Sequence, residues 1–219
     1  FGATNGASEL ILINNSANAL TVNSAIINNG TGAEPLTIAG TGAGGVNLNG
    51  TNLMGGRLYI DSGTVNLNNT ATYGGFTSYG GTVNVAAATS LNGTLIPDGT
   101  TVLNINAPLT VLGANTVNIG QTANARTLVN VNANVIVTNG GRLMLASGTD
   151  IAAAVRQTAG IFLSSGNTVI GDGYRSWGNY RIEGGTLAPT LGQEMNIGYR
   201  VTGVLDILGG SVLVSNNNF

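Results

Sequence analysis

Residues 173–187 read GYRSWGNYRIEGGTL, and residues 198–212 read GYRVTGVLDILGGSV. The two stretches align without a gap at an offset of 25, with seven identities: Gly173/Gly198, Tyr174/Tyr199, Arg175/Arg200, Gly178/Gly203, Ile182/Ile207, Gly184/Gly209 and Gly185/Gly210. A degenerate third copy precedes them by the same offset, pairing Gln157–Phe162 with Ile182–Leu187. Identity at a fixed spacing of 20–50 residues marks a repeat architecture in which one supersecondary unit stacks on its copies. An antiparallel sandwich gives no reason for such identity.

Outward from this stretch the repeat changes form. Asparagine between aliphatic residues recurs as Val46-Asn47-Leu48, Val65-Asn66-Leu67, Val83-Asn84-Val85 and Leu103-Asn104-Ile105, at steps of 19, 18 and 20 residues. Further copies are Val117-Asn118-Ile119, Val129-Asn130-Val131 and Met195-Asn196-Ile197. Apolar–polar–apolar alternation is the period of a half-buried strand. Asn-Gly and Pro-Asp-Gly turns separate the triplets, at Asn29-Gly30, Asn49-Gly50, Asn92-Gly93, Pro97-Asp98-Gly99 and Asn139-Gly140.

Strands of this length between glycine turns, repeated every 18–25 residues, predict an all-β fold: a single-stranded parallel β-helix whose rungs each give two or three strands to parallel sheets. About 22 residues per rung predicts about ten rungs in one solenoid domain over residues 1–219. Asparagines at equivalent rung positions are expected to form amide ladders. Only Asp150–Gln157 (DIAAAVRQ) has the composition for a helical turn or two.

Composition narrows the function classes. Only 7% of the 219 residues are charged, against about 25% in ordinary domains. Nine acids and seven bases leave a net charge of -2, and every base is arginine. Without lysine there is no phosphate-neutralising patch, so a nucleic-acid partner is not expected. The absence of cysteine and histidine removes disulfides, thiolate or imidazole metal sites and His-dependent triads. No apolar run reaches the roughly 18 residues of a membrane span. Thirty asparagines and 26 threonines take the place of surface charge. Phe1 is not an initiator methionine, so a processed product or a fragment of a longer exported protein is expected.

Residues 41–67, TGAGGVNLNGTNLMGGRLYIDSGTVNL, resemble the autotransporter-associated β-strand repeat of bacterial secreted proteins. Gly50-Thr51-Asn52, Gly55-Gly56 and Gly63-Thr64-Val65 match that motif, while Leu53-Met54 replaces the tyrosine that usually follows its asparagine. Residues 157–212 are similar to rungs of giant surface proteins carrying the same repeat. The resemblance implies a right-handed parallel β-helix at the bacterial cell surface or outside the cell. It brings no catalytic, cofactor or metal-binding residues with it.

Candidate sites follow from the few charges and aromatics. The nine acids, Glu9, Glu34, Asp61, Asp98, Asp150, Asp172, Glu183, Glu194 and Asp206, are spread along the chain. Stacking by 25 residues sets Arg181 beside Asp206, Glu183 beside Leu208 and Asp172 beside Ile197, so no carboxylate pair is expected; Gly171-Asp172-Gly173 reads as a turn. Three Tyr-Arg dipeptides stand near Trp177, giving a contact strip of Tyr174, Arg175, Trp177, Tyr180, Arg181, Tyr199 and Arg200 for glycan or a second subunit. Tyr174 is expected to stack on Tyr199, and Arg175 to lie beside Arg200.

The reading is a non-enzymatic extracellular structural protein: a surface stalk, adhesin segment or fibre subunit that associates with itself end to end, with surface polysaccharide as a further partner. The chain opens and closes without charge at either end, and uncharged strand edges invite pairing. The alternatives are a polysaccharide lyase or hydrolase, which needs carboxylates converging in one groove, and a glycan-binding module using the Tyr-Arg strip.

Overall fold

A computed structural model describes residues 8–28, 32–190 and 193–214. Among them, 27 strands form three parallel sheets of nine strands each, and every strand between the first and ninth rungs pairs with the third strand before and after it. This is the parallel β-helix expected from the repeats, with three strands per rung and nine rungs. The count of about ten assumed a uniform rung. In the first sheet the inward column runs Leu10, Leu36, Leu58, Phe76, Leu95, Val117, Leu143, Thr168 and Met195, so successive rungs are 26, 22, 18, 19, 22, 26, 25 and 27 residues apart. Part of the difference lies in the second-sheet strands, which lengthen from three or four residues to six from Arg126 onward, and the corners absorb the rest.

The alternation in the sequence decides which side faces in. Second-sheet strands such as Thr64–Leu67, Thr82–Val85 and Val102–Ile105 bury every second residue. Stacked rungs line these up into columns, among them Val46, Val65, Val83, Leu103 and Val129. One continuous apolar core results, from Leu36 to Leu187. Each fully buried side chain of this size contributes about 1.5–3 kcal/mol.

Local propensity loses to register at Asp150–Gln157. Asp150 has a φ of 58°, which ends any helix there, and Ala152–Gln157 is a strand. It pairs along its whole length with Arg126–Val131 and Trp177–Ile182, burying Ala153, Val155 and Gln157. The small alanines that suit a helix equally suit a crowded interior column.

The repeated Gly-Gly has a steric cause. Gly160, Gly185 and Gly210 have φ of 71°, 79° and 82°. Thr186 N donates to Gly160 O and Ser211 N to Gly185 O. A Cβ on Gly210 would collide with the Gly185 carbonyl oxygen, and one on Gly185 with that of Gly160. Only glycine lets this corner stack on itself. No helix among the described residues is long and apolar enough to cross a membrane.

Candidate functional site

Two outward surfaces carry the chain's polar chemistry. On the second sheet one column reads Thr21, Asn47, Asn66, Asn84, Asn104, Asn130, Arg156, Arg181 and Asp206. Its amides form the expected ladder. Nδ2 of Asn66, Asn84, Asn104 and Asn130 donates to Oδ1 of the asparagine one rung earlier, at 2.7, 2.6, 2.7 and 2.8 Å. Shorter ladders run beside it, Asn23–Asn49–Asn68 and Asn106–Asn132. Asn118 and Asn196 lie on the first sheet instead, so their triplets do not join the column.

Beyond Asn130 the column becomes ionic. Arg156 and Arg181 are direct neighbours across two rungs, and like charges so placed repel. Glu183, in the adjoining column, meets both: Oε2 lies 2.6 Å from Arg156 Nη2 and Oε1 lies 3.0 Å from Arg181 Nε. The hydrogen bond from Arg156 holds the Glu183 carboxyl below the usual carboxylate range, and the same bond raises Arg156. Arg181 sits beside Asp206 as the register expected, with Nε 3.8 Å from Oδ2.

The Tyr-Arg strip is split by the structure. Tyr180 is 0% exposed, an interior residue packed edge-on against Phe162 with centroids 6.2 Å apart. Its hydroxyl donates to Gln157 Oε1 at 2.9 Å, and Gln157 Nε2 donates to the carbonyl oxygens of Gly160 and Thr186. Tyr180 therefore belongs to the core and to no contact strip. The Tyr-Arg dipeptide misled because strand alternation sends its two side chains to opposite faces.

Tyr174 and Tyr199 are 69% and 59% exposed, but Tyr174 does not stack on Tyr199. Upstream of these tyrosines the paired residues are 27 apart, with Ile170 against Ile197; downstream they are 25 apart, with Trp177 against Thr202. The corner has lost two residues, and the sequence alignment across it is not the structural one. Each tyrosine instead carries the guanidinium of its own following arginine, at 5.3 Å from the ring centroid in both cases. Arg175 does not lie against Arg200 as an unpaired like charge: its Nη2 is 2.6 Å from Asp150 Oδ2, and Arg200 Nε is 3.6 Å from Asp172 Oδ1. The Asp150 hydrogen bond raises Arg175. For the same reason Asp172 faces Arg200, where the uniform offset had set it beside Ile197. Trp177, 41% exposed, opens a second-sheet strand and pairs with Ala152, two residues on from the Arg175–Asp150 pair.

A groove that the sequence did not single out lies on the outer face of the first sheet, over the rungs that begin at Leu143, Thr168 and Met195. Met144, Val169 and Asn196 occupy successive outward positions and form its floor. Arg142, Asn167 and Glu194, each immediately preceding a strand, make one wall; Asp172, Tyr199 and Arg200 make the other. The cavity is about 210 Å³. A second cavity of about 330 Å³ shares Asp172 and Arg200 and is bounded by Tyr174, Ser147 and Thr149. The signal was present in register: Arg142, Asn167 and Glu194 align once the rung lengths of 25 and 27 are known.

No family model, curated protein or solved structure matches the chain. Among the described residues, no three acidic side chains gather as metal ligands would. Glu183 and Asp206 both meet Arg181 Nε, at 3.0 and 3.8 Å, and Asp172 and Glu194 both line the groove.

Proposed function

We propose that the chain is a load-bearing segment of an extracellular β-solenoid, serving as a surface stalk, adhesin segment or fibre subunit. Backbone hydrogen bonds between rungs run along the rod, so tension is resisted by three parallel sets of them at every rung. Nine rungs at about 4.8 Å each give a rod about 40 Å long. The resemblance of residues 41–67 and 157–212 to autotransporter-associated repeats supports a bacterial surface location.

The observation that carries the reading is the match between the first and last rungs of the described residues. The inward positions of the first rung are Leu10, Leu12, Leu20, Val22 and Ile26. Those of the ninth are Met195, Ile197, Leu205, Ile207 and Val212. Met195, Ile197, Leu205, Ile207 and Val212 border an apolar recess of about 290 Å³. Placing a first rung on a ninth would continue all three sheets with apolar residues over apolar residues in every column. This supports head-to-tail self-association, with a closing step that buries both sheet edges at once.

Negative-stain electron microscopy with sedimentation velocity on the purified chain tests this. Filaments one rod wide are expected, and Ile207→Lys, placing a charge on the ninth-rung face, should reduce them to single rods. A wild-type chain that stays monomeric at concentrations of about 100 μM, where weak specific contacts form, would overturn self-association.

A further inference from the structure

We propose that the groove over the last three rungs of the first sheet binds a neutral oligosaccharide. The groove holds one unpaired cation. Arg57 and Arg126 donate to hydroxyl or carbonyl oxygens, and Arg156, Arg175, Arg181 and Arg200 are ion-paired. The Arg142 guanidinium alone, among those of the described arginines, has neither a hydrogen bond nor an ion pair, and it stands on the groove wall.

The other polar groups there are half engaged. Asn167 Oδ1 accepts from Glu194 N at 3.3 Å, leaving its amide donors available. Glu194 Oε2 accepts a long 3.3 Å bond from Asn196, leaving its other oxygen available. The groove thus offers guanidinium and amide donors beside carboxylate and amide acceptors, with two arginines balancing two acids. A ligand whose groups both donate and accept, and which carries no charge of its own, satisfies such a lining best. Sugar hydroxyls do this. The apolar floor of Met144 and Val169, and the exposed ring of Tyr199, suit the C–H faces of pyranose rings.

The neighbouring cavity extends the site round the corner toward the second sheet, past the Asp172–Arg200 pair to Tyr174. The two cavities together reach the about 300–1,000 Å³ typical of small-ligand clefts. This gives room for more than one ring, with Tyr199 on the wall where the cavities meet and Tyr174 bounding the second. A uronic-acid chain would add carboxylates to a lining that already holds Asp172 and Glu194 and has Arg200 engaged by Asp172, leaving only Arg142 to meet them.

Isothermal titration calorimetry of the full chain tests the assignment. The probes are neutral gluco-, manno- and galacto-tetraose to -hexaose, with oligogalacturonates of matched length. At least one neutral series should saturate, and lengthening the ligand should tighten it. Tyr199→Ala and Arg142→Ala should each weaken binding about tenfold or more, about 1.4 kcal/mol per tenfold, while Trp177→Ala leaves it unchanged. Circular dichroism of the variants confirms the fold; both residues are exposed. Absence of saturation by every neutral probe, tighter binding of the uronates, or equal loss in Trp177→Ala would each overturn the proposal. The titration is made on single rods of Ile207→Lys, so its outcome does not depend on whether wild-type rods join into filaments.

Discussion

One column of the second sheet is neutral for its middle rungs and ionic for its last, on the same backbone and in the same register. From Asn47 to Asn130 identical side chains stack, each amide both donating and accepting. From Arg156 onward identical side chains could only repel, and the column is held by a carboxylate reaching in from the side. A stacked fold accepts a self-complementary group at every rung, whereas each charge needs a partner outside its own column. That constraint explains the low charge content of the whole chain better than any general preference for polar surfaces.

The interiors differ in parallel, and the largest effect is expected there. Beneath the amide ladder the aliphatic core takes in the Tyr73 and Phe76 rings, while beneath the ionic rungs it holds the Tyr180–Gln157 hydrogen bond and the Phe162 ring. Tyr180→Ala should cost about 3–5 kcal/mol, the usual range for removing a buried aromatic, read from chemical denaturation. A smaller loss, about 1–3 kcal/mol, is expected for Asn84→Asp. That change keeps the shape but sets an acceptor against Asn66 Oδ1 and removes the donor between them. An undiminished midpoint would mean that the ladder's bonds are replaced by water at no cost.

The smallest effect is expected in the ionic half, where the groups are exposed and screened. Glu183→Gln should lower the melting temperature slightly, and the difference should fade in about 1 M salt, where the screening length is near 3 Å. Since Arg156 depresses the Glu183 pKa, its stabilisation is complete above the ordinary glutamate value of about 4.3. It is lost as pH falls through the lower folded-state value. Wild type and Glu183→Gln should therefore converge in melting temperature as the pH drops from about 5 to below that value. Hydrogen exchange read by region should show no such loss arising from the amide ladder, which has no titrating group.

Much of this was legible in the sequence because stacking converts spatial columns into sequence spacing. The Asn47–Asn104 triplets, the Gly185/Gly210 pair and the Arg181–Asp206 contact all came from counting offsets. What failed did so where an offset changed within a rung. The Tyr174 and Tyr199 corners contain different numbers of residues between paired strands, so seven identities in a row of fifteen gave the wrong partner for Asp172 and for both rings. Tyr180 was misplaced for another reason: alternation fixes that neighbours face opposite ways, but not which of the two faces in. The groove was invisible because Arg142, Asn167 and Glu194 share no residue type, only a position before successive strands.

Every amide in the ladder donates toward the first rung, from Asn66 to Asn47 and onward to Asn130 to Asn104. The side-chain dipoles therefore add along the rod, as peptide dipoles add along a helix. Their negative end is Asn130, and the next residue in that column is the cationic Arg156. The change from amide to arginine thus falls where the column's own field favours a positive charge, and the rod acquires an electrical direction that matches the direction of its chain.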